Sequence, residues 1–70
     1  MRITVNGEDR VTDARTLGAL WDAETEHLDL LSRRGFAMAR NGDVVRVSGW
    51  DQTALEDGDR VEIIRAMAGG

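Results

Sequence analysis

The hydrophobic period of this chain changes twice, and that alternation restricts its fold more than any other feature. Ile3 and Val5 alternate with Arg2, Thr4 and Asn6, the two-residue period of a strand with one buried face. Asn6-Gly7 follows, a pair that tolerates the positive φ of a tight hairpin, and a second strand is predicted from Glu8 to Val11. The period then lengthens. Leu17, Leu20 and Trp21 stand at i, i+3 and i+4 on one helical face, with Thr16 placed to cap the start. Leu28 and Leu31 extend that face, yet "DAETEHLDLLSRRG" carries acids where a helix C-terminus prefers bases. Only Arg33, Arg34 and Gly35 read as a stop, so a break or loop is expected between Thr16 and Gly35.

After Gly35 the two-residue period returns in "FAMAR", a second Asn-Gly pair at Asn41-Gly42, and "DVVRV". Phe36 and Met38 are predicted to face the core, leaving Ala37 and Ala39 on a flat outer strip. Trp50 and Leu55 fall in an irregular crossing segment and are expected to fill the core's edge. Asp57 to Asp59, "DGD", reads as a turn, since two carboxylates around one glycine lack the ligand count of a calcium site. "RVEII" is the last strand, with Val61 and Ile63 inward. This order predicts an α+β fold, a mixed four- to five-stranded sheet curled around one main helix, with first and last strands parallel at its centre. That arrangement is a β-grasp. Its expected bounds are residues 1–65, followed by an extended flexible tail over 66–70.

Composition excludes several function classes. A chain of 70 residues buries only about 60% of its unfolded surface, so one domain and no large catalytic cleft are expected. With no Cys there is no disulfide, thiolate metal site or Cys nucleophile, and the lone His27 reads as a solvated helix-end residue rather than a metal ligand. The net charge is -4 and the cations are scattered, which argues against nucleic acid or an anionic membrane and fits a basic protein partner. Trp21 and Trp50 have no basic groove between them, so they read as core rather than as a stacking platform. No stretch approaches ~20 apolar residues and "MRITVNGEDR" turns polar too early for a signal peptide, so a cytoplasmic location is expected.

The ending "RAMAGG" needs a different explanation. Glycine loses the most entropy when fixed, so Gly69 and Gly70 contribute almost nothing to a core. They do suit a thin segment that enters a narrow active site of another protein. Ala66, Met67 and Ala68 keep that segment small and uncharged, and its five residues span roughly 16 Å at about 3.3 Å each.

The ordered set "ITVNGE", "TLGALW", "AMARNGDVV", "LEDGDRVEII" and "AMAGG" resembles the ThiS family, the small sulfur carriers of thiamine biosynthesis. These share a ubiquitin-like β-grasp with the small subunit of molybdopterin synthase. Two departures stand out: the stretch from Thr16 to Gly35 is longer than expected for the family, and Arg40 replaces a usually apolar residue. The resemblance implies that Gly70 is adenylated by an E1-like, ThiF-type adenylyltransferase that uses ATP. A sulfur donor system then replaces AMP to give a thiocarboxylate, which serves a ThiG-type thiazole synthase. Ala66, Met67, Ala68 and Gly69 would thread the tail. The chain would be a monomeric cosubstrate without catalytic residues or a cofactor of its own. Ile64 should face outward beside Ala37 and Ala39 as a docking patch, with Arg60 and Arg65 at its rim. A molybdopterin-type or other pathway carrier and a noncatalytic ubiquitin-like interaction module are the alternatives.

All nine basic residues are Arg. Either the source is biased toward Arg, or an activated carboxyl is kept away from lysine amines, because a guanidinium is a poor nucleophile.

Overall fold

The computed structural model describes residues 1–26 and 33–65. It contains β1 (Arg2–Val5), β2 (Glu8–Val11), α1 (Leu17–Thr25), β3 (Phe36–Arg40), β4 (Asp43–Val45) and β5 (Arg60–Arg65), with a 3-10 helix over Val47–Gln52. Both hairpins turn on their Asn-Gly pairs. Asn6 and Gly7 have φ of 50° and 81°, and Asn41 and Gly42 have 51° and 89°, the two left-handed residues that match a turn to strand twist.

The five strands form one sheet in the order β2-β1-β5-β3-β4. β1 and β5 are parallel, with Thr4 opposite Arg60 and Val5 opposite Val61, and the other neighbours are antiparallel. A parallel pair cannot be closed by a hairpin, so the chain between must cross one face, and α1 covers that face. Thr16 is extended and its hydroxyl accepts from Ala19 N at 3.1 Å, the cap expected of it. The helix ends at Thr25, inside the stretch where a break was expected. The extension to Leu28 and Leu31, and His27, lie outside the described residues.

Ile3, Val5 and Val61 rise from the sheet centre to meet Leu17, Leu20 and Trp21 of α1, and all are buried. Ile63 packs against this core as expected. Trp50 belongs to the core as expected, but not to its edge. It is 0% exposed, at the middle of the core, with its ring 5.3 Å from that of Trp21 and Nε1 donating to Val45 O at 2.9 Å. β4 is shorter than "DVVRV" for the same reason, because the backbone coils from Val47 to bring Trp50 inward.

Candidate functional site

The end of β5 is where the tail begins, and the residues holding that strand define the candidate site. Pairing with β1 stops at Val61, while pairing with β3 continues to Phe36 opposite Arg65. Beyond Val61 the Asn6 side chain takes over, its Oδ1 accepting from Ile63 N at 2.8 Å. At the other end Asn41 Oδ1 accepts from Arg60 N at 2.8 Å, and Asn41 N donates to Arg60 O at 2.7 Å. Each turn asparagine therefore grips the central strand from one side, a role that the Asn-Gly signal does not reveal.

Just before β5, Asp59 is buried at 5% exposure. It accepts from Arg40 Nε at 2.7 Å, Asn41 Nδ2 at 3.0 Å and Glu56 N at 2.8 Å. Burial raises its carboxyl pKa, but the hydrogen bonds from Glu56, Asn41 and Arg40 outweigh that and hold it below its ordinary value. The expected turn is there, with Gly58 at φ 90°, and Asp57 Oδ1 accepts from Arg2 N at 2.7 Å. Asp59 is thus an anchor as well as a turn residue.

On the outer face Ile64 is 39% exposed and lies opposite Ala37, as the alternation requires. Ala39 faces the same way between Glu62 and Val44, yet it is 6% exposed, which corrects its place in an accessible patch. A methyl group flanked by longer register partners is shaded by them. Val44, 65% exposed, is the apolar side chain that this part of the face does present. Consecutive valines in β4 must point to opposite faces, so one of Val44 and Val45 had to face out.

The two arginines separate. Arg60 is exposed on the face of Ile64, about 13 Å along the strand from it. Arg65 points to the opposite face, its guanidinium 5.9 Å from the Phe36 ring centroid, so it is not a rim residue of the Ile64 patch. Phe36 and Ile63 line an open cavity of 240 Å³ at this end, walled by Trp21 and Val5. Arg10 Nε and Glu24 Oε1 pair across it at 3.4 Å. The tail residues Ala66, Met67, Ala68, Gly69 and Gly70 lie outside the described residues. Among the described residues no helix is long and apolar enough to cross a membrane.

No curated protein matches the chain. Among solved structures, the crystal structure of a thiamine biosynthesis protein (ThiS) from Geobacter metallireducens is 32% identical, with a TM-score of 0.76 and 100% of both chains covered. An NMR solution structure of a thiamine biosynthesis protein from the same organism is 30% identical, with a TM-score of 0.70, covering 100% of this chain and 88% of that one. The ThiS family model matches residues 2–70, from the first strand through both glycines. With the family match over residues 2–70 and the β-grasp of the described residues in agreement, the chain belongs to the ThiS family of small sulfur carriers, which are not catalysts themselves.

Proposed function

We propose that this chain carries sulfur for thiamine thiazole formation as a thiocarboxylate on Gly70. The observation that supports this reading most is the family match running through Gly69 and Gly70. The Gly70 carboxylate attacks the α-phosphate of ATP in a ThiF-type adenylyltransferase, and pyrophosphate leaves. A nucleophilic sulfur from the donor system then displaces AMP, and the resulting thiocarboxylate gives its sulfur up in a ThiG-type thiazole synthase. A carrier that meets these enzymes and ATP works in the cytoplasm. In-line attack needs the carboxylate held in one geometry, which a tail without bulky side chains at Gly69 and Gly70 permits.

The carrier's own residues supply position. β5 is fixed on both sides by β3, β1 and the asparagines of the two turns, so the tail starts from a rigid point. A partner that gripped only five tail residues would bear their full ordering cost with little orientation in return. Ile64, Ala37 and Val44 on the outer face supply the further contact, with Arg60 setting register from the same face. Ala39 supports that face from below its surface, and Arg65 acts at the tail's root.

Intact mass after incubation with the ThiF-type enzyme, ATP and a sulfur donor tests the reading. An AMP-linked species followed by exchange of one oxygen for sulfur is the expected result. A chain that stays unmodified under all these conditions is a ubiquitin-like interaction module instead.

A further inference from the structure

The residues near the tail's root include cations but no amine. All nine basic residues are arginine, and a guanidinium stays protonated and attacks acyl carbon poorly. The amine that the structure shows is that of Met1, which donates to Thr12 O at 3.0 Å. The parallel pairing of β1 and β5 sets that amine far from the tail. Thr4 lies beside Arg60, so Met1 sits three residues behind that level and Arg65 five ahead, a separation of about 26 Å along the strands. A tail of five residues spans only roughly 16 Å. Arg65, the last residue of β5, is exposed, lies over Phe36 and is the basic residue nearest the tail in sequence.

We propose that the chain is built so that its own activated C-terminus finds no amine within reach, and that arginine rather than lysine at position 65 is a principal part of that protection. The biological need for it rests on the carrier reading above. In the reaction avoided, a neutral amine adds to the acyl carbon of the Gly70 adenylate. The bond from that carbon to the AMP oxygen breaks, AMP leaves with the electron pair, and the nitrogen gives up one proton. The resulting amide holds no sulfur and cannot be reloaded. A second copy offers the same side chains, so the same arrangement keeps copies from joining through side-chain amides.

The test needs no activating enzyme. The full chain is prepared with a small-thiol thioester on Gly70, as wild type and as Arg65→Lys, Ala66→Lys and Arg2→Lys, and followed by intact mass at mildly alkaline pH. Arg65→Lys is expected to lose its thiol as an internal amide, one water lighter than the free acid, on the order of tenfold faster than wild type loses its thioester by hydrolysis. Ala66→Lys, one residue nearer Gly70 in the sequence, repeats the result with Arg65 kept in place. Arg2→Lys, at the Met1 end, should hydrolyse like wild type. Hydrolysis alone in both Arg65→Lys and Ala66→Lys overturns the proposal, as does amide formation in Arg2→Lys at the Arg65→Lys rate or in wild type through Met1. Adenylation of wild type by the ThiF-type enzyme is measured separately, so failure of the carrier reading is seen on its own.

Discussion

Arg40 donates from Nε to Asp59 Oδ2 at 2.7 Å, which ties the β3–β4 hairpin to the residue that opens β5. The arginine that departs from the family's usual apolar residue is therefore not a flaw in strand packing. It answers a carboxylate that is 5% exposed and would otherwise lack its charged partner. Asp59→Ala leaves the Glu56 and Asn41 donors without this acceptor, and a loss of about 1–3 kcal/mol is expected. In a domain this small each kcal/mol lowers the melting temperature by about 4–8 °C, so thermal unfolding resolves it.

The same residue sets an acid limit. Its native pKa lies below the ordinary value of 3.8, so the unfolded chain takes up the proton first as pH falls. The contribution is fully present above the unfolded value and disappears as pH drops through the native one. Urea unfolding between about pH 6 and pH 3 should show wild-type stability falling at the acid end, with a flatter profile for Asp59→Asn. Parallel profiles would place the acid sensitivity on other carboxylates.

Trp50 is the side chain on which the crossing segment depends. Trp50→Phe keeps a ring in the core but removes the donor to Val45 O and leaves space beside Trp21. About 1–3 kcal/mol should be lost, against about 3–5 for Trp50→Ala, enough to unfold much of a marginal domain. Circular dichroism against temperature reads both.

What the sequence made legible follows the range of each signal. Asn6-Gly7 and Asn41-Gly42 are local, because positive φ at consecutive residues selects the pair wherever it occurs. Leu17, Leu20 and Trp21 are legible through their period. Trp50 is legible as a core residue but not as a central one, since a 3-10 turn has no long amphipathic repeat and its partner Trp21 is remote in sequence. Alternation gave Ala39 its face but not its depth, which depends on Glu62 and Val44 across two strand pairs. It also separates Ile64 from Arg65, so the docking set expected around Ile64 joined neighbours that a strand must hold apart. The side-chain grips of Asn6 and Asn41 on β5 depend on tertiary contact alone.

The tail should be separable from the fold. Deleting Gly70, or placing Trp at Gly69, removes the carboxylate from its position or blocks the narrow entry while every core residue among the described residues keeps its identity. Loading by the ThiF-type enzyme should fall by at least about a hundredfold, the scale of an angstrom-level misplacement of a reacting group. Melting temperature should stay where it is. A Gly70 deletion that still acquires a thiocarboxylate would refute in-line activation at that residue.

Ile64→Asp tests the outer face. Ile64 stands opposite Ala37 on the central strand, at the end from which the tail leaves, so a partner holding the tail must pass close to it. A charge there should weaken binding to the ThiF-type enzyme or the ThiG-type synthase by about 1–3 kcal/mol if the side chain lies near the contact centre. Because the site is 39% exposed, the loss of strand preference and partial burial should stay within about 1 kcal/mol of stability. Val44→Asp, on the same face toward the sheet edge, should give a smaller effect on binding, as rim positions do. Calorimetric titration of both variants against both enzymes decides it. Unchanged affinity throughout would remove this face from docking, whereas a large fall in the melting temperature of Ile64→Asp would mean that its side chain supports the sheet rather than a partner.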